Sequence, residues 1–112
     1  MFMKIDRDKV YLGHILEAIE TTEEFLKNKS FADLSSDQLL IAGAVRELEI
    51  IGEAANQISA EFKGKHPEIE WHRMVGMRNR LIHEYFEVDL KVVWQTAKED
   101  LPKLKEQIKR LL

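Results

Sequence analysis

Apolar residues recur along this chain at intervals of three and four, not two, so the pattern predicts helices and no strands. A first helix is expected over about residues 6–28. Val10, His14, Ile15 and Ile19 fall near one stripe, which Leu12, Leu16 and Phe25 widen. A loop or short turn follows around residues 30–34. Ser35-Ser36-Asp37-Gln38 fits a capping box, with Ser35 as N-cap and Gln38 reaching back. The second long helix then runs to about Ala60 on a stripe of Ile41, Ala44, Val45, Leu48, Ile51, Ala55 and Ile58. Gly43, Gly52, Ala42 and Ala54 are small enough to let another helix come close. Arg46, Glu49, Glu53 and Asn56 repeat on the other side at three or four. They read as a solvated face of paired charges, with a buried polar interface as the alternative.

Gly64 punctuates the chain, and Pro67 suits the first turn of a new, short helix over residues 67–74. Gly76 would loosen or bend the junction before a further helix over about residues 77–87. Asp89 is a good N-cap for a last helix reaching Leu112, with Leu90, Val93, Trp94, Ala97, Leu101, Leu104 and Ile108 as its stripe. Pro102 should kink that helix, because proline lacks the N–H and crowds the preceding turn. Repeats, low-complexity segments and long linkers are absent from the sequence. The expected architecture is all-α: one domain over residues 1–112, an antiparallel bundle of four main helices plus a short one.

Composition narrows the function. The 112 residues suffice for a core, and 45% hydrophobic with 33% charged content suits a globular chain. With no cysteine, disulfides, thiolate metal sites and a cysteine nucleophile are excluded. That is compatible with a reducing, cytoplasmic setting. Lys4, Asp6, Arg7, Asp8 and Lys9 predict no signal peptide. No apolar run approaches the ~20 residues needed to cross a bilayer, so no membrane partner is expected. The net charge of −3 argues against a strongly basic nucleic-acid binder. Charge is uneven, though. Lys63, Lys65, Arg73, Arg78 and Arg80 cluster with His66, His72 and His83, opposed by Glu68, Glu70 and Glu84. A local anion site is expected there.

Within that cluster lies Arg78-Asn79-Arg80-Leu81-Ile82-His83-Glu84-Tyr85, which reads R-N-x-x-x-H-x-Y. Histidine moves protons near neutral pH, and arginine is a permanent cation whose planar fork fits phosphate. Together they meet two needs of RNA cleavage: proton transfer, and stabilisation of charge building on phosphorus. Each residue also has an ordinary use: His83 as a hydrogen-bonded surface histidine, Arg78 as a surface charge, Tyr85 as a core-edge aromatic. Arg80 and Glu84 read as an i,i+4 pair. On an ideal helix Arg78 and His83 diverge by roughly 140°. Asn79 and His83 share a face, and Arg78 and Tyr85 nearly eclipse. One straight helix does not aim Arg78 and His83 at one point. The arginine could curl round, Gly76 could distort the helix, or a second copy across a two-fold axis could complete the site. The dimer is the favoured reading. The histidines show no familiar metal spacing, no glycine-rich phosphate loop occurs, and Trp71 and Trp94 read as packing residues.

The whole string resembles the R-x-x-x-x-H-x-Y signature of the HEPN-domain family, specifically its small HepT-type toxins. Arg46-Glu47-Leu48-Glu49-Ile50-Ile51-Gly52-Glu53-Ala54-Ala55-Asn56 resembles the second-helix signature of that group, and residues 66–79 resemble its approach to the motif. Nearly all the chain is covered. Glu70 is a small departure, standing where a small residue or proline is expected before Trp71. The resemblance implies a helical bundle that dimerises and cleaves RNA without metal or other cofactor in a cleft lined by paired motifs. It implies Arg78 and His83 as catalytic and Asn79 as supporting. It also implies a partner: a minimal nucleotidyltransferase antitoxin that transfers AMP to Tyr85 and silences the toxin. The products expected from this chemistry are a 2′,3′-cyclic phosphate and a 5′-hydroxyl. A competing reading, favoured by the acidic net charge, is a non-catalytic helical partner that docks such a nucleotidyltransferase. A plain dimeric helical scaffold is the third.

Overall fold

The computed structural model describes residues 6–84 and 87–112, and within them every regular element is helical. Helix α1 spans Arg7–Leu26, and the Asp6 side chain caps it by accepting from the Lys9 N–H at 3.2 Å. Its buried stripe is Leu12, Ile15, Ala18, Ile19, Thr22 and Leu26. Val10 and His14 are instead on the surface. Val10 sits roughly 140° from Ile15 around the helix, too far to share its face. Thr22 is buried without cost because its hydroxyl donates to the Ala18 carbonyl at 2.8 Å.

The expected loop after α1 is a short helix, α2 (Phe31–Ser36). Ser30 and Asp33 form a reciprocal capping box: the Asp33 N–H donates to Ser30 Oγ, and the Ser30 N–H donates to Asp33 Oδ2. The backbone bond from Ser30 holds the Asp33 carboxyl below its ordinary pKa, helped by the Ser30 hydroxyl. The box expected at Ser35 and Gln38 is not made. Ser35 lies inside α2 and donates to the Phe31 carbonyl. Asp37 is the N-cap of the long helix α3 (Gln38–Gln57), accepting from the N–H groups of Leu39 and Leu40.

Helix α3 stops before Ala60. Ser59 turns the chain and caps a second short helix, α4 (Ala60–Lys65). Asp8 of α1 holds that corner, accepting from both the N–H and the hydroxyl of Ser59 at 2.8 and 2.7 Å. Pro67 then lies in a turn, not a helix. The indole N–H of buried Trp71 donates to the His66 carbonyl at 3.0 Å, and Phe62 meets the ring edge-on.

Helix α5 (Trp71–His83) is a single element. Two helices hinged at Gly76 were expected, but Gly76 keeps a negative φ and the helix runs through it. The last segment is α6 (Leu90–Gln95), a π-turn (Thr96–Asp100) and α7 (Leu101–Leu111). The π-turn is how the chain absorbs Pro102. Proline cannot donate to the turn before it, and the wider turn lets the Leu101 N–H reach back to the Thr96 carbonyl.

The bundle is therefore all-α with four long helical segments, as expected, and two short helices instead of one. Helix α3 is the central one, packed between α1 and α5, with the α6–α7 segment lying against α1. Leu48, Ile51 and Ala55 of α3, Ile15 and Ile19 of α1, and Leu101, Leu104 and Ile108 of α7 belong to one buried cluster.

Candidate active site

The site begins at the crossing of α3 and α5. Gly52 is buried there, and a Cβ in its place would overlap the Arg78 Cβ and lie 2.6 Å from the Met74 carbonyl. The backbones can approach this closely only because residue 52 has no side chain. The stem of Arg78 thus lies directly on α3, and its guanidinium emerges beside the next residue, Glu53. Nε of Arg78 donates to Glu53 Oε1, and Nη2 forms an ion pair with the same oxygen. Nη1 donates to Asn79 Oδ1 at 2.7 Å. The Arg78 side chain is 29% exposed, so the guanidinium is half-covered but reachable.

Asn79 is one step round α5 from Arg78 and four residues before His83. It therefore links the arginine to the histidine's face. His83 is the last residue of α5 and is exposed, with no side-chain hydrogen bond among the described residues. The helix runs regularly through Gly76, so the glycine does not bring the motif together by distorting it. The structure joins Arg78 to Asn79; it does not join Arg78 to His83.

Tyr85 lies outside the described residues. Helix α5 ends at His83 with Glu84 as C-cap, short of the expected residue 87. The expected eclipse of Arg78 by Tyr85 therefore falls outside the described residues.

Glu53 was legible only as one member of a polar stripe. Its partner stands 25 residues away in sequence, so periodicity could not reveal the contact. The local cation cluster is also less available than its composition implies. Arg73 pairs with Glu70 and Asp100, Lys65 with Glu61, and Arg80 with Glu84 at 3.9 Å. Such exposed pairs are weak individually, but they damp the positive field.

Between α3 and α5 runs a groove lined by Ile41, Val45, Leu81, Ile82 and Val88 together with the polar Gln38 and Glu49. Ile82 is 38% exposed, and Leu39 at the start of α3 is 86% exposed. Among the described residues no group of three or more His, Asp or Glu side chains is arranged to hold a metal ion. No helix among them is long and apolar enough to cross a membrane.

Comparison with known proteins adds a family. A family model described as ribonuclease HepT-like matches residues 15–111. A Thermococcus cleftensis protein named "Probable ribonuclease HepT" is 48% identical over 103 residues, covering 92% of this chain and 94% of its own. A Caldanaerobacter subterraneus subsp. tengcongensis protein named "Putative RNase" is 43% identical over 102 residues, covering 91% of each chain. No solved structure gives a significant match.

Proposed function

This chain belongs to the HepT-like ribonuclease family, and we propose that it is a metal-independent endoribonuclease that works as a homodimer and serves as the toxin of a toxin–antitoxin pair. The observation that carries the reading is the state of Arg78. A half-exposed guanidinium is held by Glu53 and Asn79 on a regular helix, five residues before an exposed histidine.

In this reading Arg78 grips the scissile phosphate and stabilises the charge that grows on it. His83 takes the proton from the ribose 2′-hydroxyl or delivers one to the departing 5′-oxygen, help worth ~10²–10⁴-fold in rate. The 2′-oxygen attacks phosphorus, the bond to the 5′-oxygen breaks, and a 2′,3′-cyclic phosphate and a 5′-hydroxyl remain. No metal is needed for this balance of protons and charge. Asn79 orients Arg78 from the His83 side.

Divergence of Arg78 and His83 on one helix supports a dimer, in which motifs from two chains line one cleft. The groove that Leu81 and Ile82 line would offer that second copy a surface on the motif helix. Arg78→Ala and His83→Ala should each abolish cleavage of total RNA while the helical circular dichroism persists. Folded variants cutting at the wild-type rate would sink the assignment.

Silencing is proposed to run through Tyr85. AMP transferred there by a minimal nucleotidyltransferase would add bulk and negative charge competing with substrate phosphate for Arg78. Co-expression with such an enzyme should raise the mass of the chain by whole AMP units, mapped to Tyr85, as cleavage falls. Tyr85→Phe should escape. Unmodified Tyr85 in fully inhibited protein would instead support the second reading, in which the chain acts by docking the transferase. The ion-paired cations and acidic net charge favour that alternative.

A further inference from the structure

We propose that Glu53 is a positioning residue for the cleavage reaction: it fixes the guanidinium of Arg78 so that a defined pair of N–H groups faces the phosphate. The inference rests on the reading of Arg78 as the phosphate-binding group. It adds a residue on a different helix, one that the R-x-x-x-x-H spacing does not contain.

A guanidinium has five N–H bonds in a rigid plane. Glu53 accepts the Nε–H, and the same oxygen forms an ion pair with Nη2 along that edge of the plane. Asn79 takes one N–H on Nη1. Each terminal nitrogen keeps an N–H beyond these contacts, which is what a two-point grip on phosphate requires. An arginine held by nothing would sample many rotamers and lose entropy when substrate bound. Here the stem is already pinned, because the α3–α5 crossing at Gly52 presses the Arg78 Cβ and Cγ against α3. Glu53 follows Gly52 directly, so the helix contact and the carboxylate contact act on the same side chain.

The cost is charge. A carboxylate on one edge of the guanidinium weakens its attraction for phosphate, so Glu53 contributes orientation at the expense of affinity. That gives a signature. Removing Glu53 should lower the rate at saturation but not weaken substrate binding, whereas a loss of fold would lower the thermal midpoint.

The test uses full-length Glu53→Ala and Glu53→Gln, with an RNA fragment spanning the principal cut site found in total RNA. Glutamine keeps the volume and an acceptor oxygen, so it should preserve the geometry without the charge. The expected result for Glu53→Ala is a fall of about 100-fold in the saturating rate, the scale of a misplaced reacting group, with KM unchanged or lower. Glu53→Gln should recover most of that rate. In ¹⁵N spectra of arginine side chains, the slowly exchanging Nε–H of Arg78 should be present in wild type and Glu53→Gln and lost in Glu53→Ala. If Glu53→Ala does not fold, Glu53→Gln alone decides, because a purely electrostatic role predicts a loss there too. Wild-type rates in folded Glu53→Ala, with cleavage abolished by Arg78→Ala, would overturn the role of Glu53 alone. Wild-type cleavage by Arg78→Ala would overturn the functional reading, and this inference with it.

Discussion

Gly52 and Arg78 show how a residue with no side chain can place one that has chemistry. Gly52→Ala forces a methyl group against the Met74 carbonyl and the Arg78 stem. The backbone cannot yield as a flexible side chain would, so α3 and α5 must separate. The expected cost is ~1–3 kcal/mol of stability, together with lost cleavage because Arg78 moves. Gly13→Ala is the control. Nothing lies within 4 Å of a Cβ there, and the position is helical. That variant should gain ~0.5–1 kcal/mol from reduced unfolded-state freedom. Denaturant melts of the two variants check both signs; equal midpoints would refute the close-approach account. Gly52 was legible in sequence as a small residue on α3, but the residue facing it was not. The same holds for Glu53. Both belong to a contact between segments far apart in the chain, and local periodicity carries no record of which segments meet.

Helix boundaries were legible where a side chain signals its role to its own neighbours, and misread where several candidates competed. Asp89 caps α6 as expected, accepting from the N–H groups of Lys91 and Val92. Ser35 was read as the cap of the long helix, but the structure caps α2 with Ser30 and α3 with Asp37. Gly76 was read as a junction between two helices, but burial of Trp71, Met74 and Leu81 on one face keeps α5 continuous through the glycine. Packing of an amphipathic face outweighs the ~1 kcal/mol that glycine costs in a helix. Pro102 was expected to kink its helix; the π-turn before it spreads that disturbance over five residues. Asp37→Ala should destabilise the fold by ~1 kcal/mol, since two N–H groups of α3 lose their acceptor. An unchanged midpoint in denaturant melts would show that α3 is held by packing alone. The Ser30–Asp33 box adds a pH dependence. The folded-state pKa of Asp33 is lowered, so its contribution is complete above the ordinary aspartate range and is lost as pH falls through the folded value. Asp33→Asn should remove that acid dependence of α2.

Across the whole molecule, the arginine and the histidine stand five residues apart on one helix, roughly 140° round it, and a groove lined by Ile82 runs along the same helix. The proposed second copy would account for both features. Ile82→Glu places a charge in the groove, so it should turn a dimer into a monomer in sedimentation experiments and lower cleavage with it. A monomeric wild type, or a dimeric variant with full activity, would contradict the arrangement. Mixing Arg78→Ala with His83→Ala chains should restore part of the activity if each cleft draws on both copies. The family is secure from nearly the full length of the chain; the proposed cleavage chemistry assigns roles to Arg78, Asn79 and His83 and is open to direct measurement. The decisive measurement incubates the purified wild-type chain with total RNA in excess chelator and identifies the new ends. The account predicts cleavage under those conditions, leaving 2′,3′-cyclic phosphates and 5′-hydroxyls. No cleavage, cleavage only after magnesium or manganese is returned, or 3′-hydroxyl and 5′-phosphate ends would contradict it.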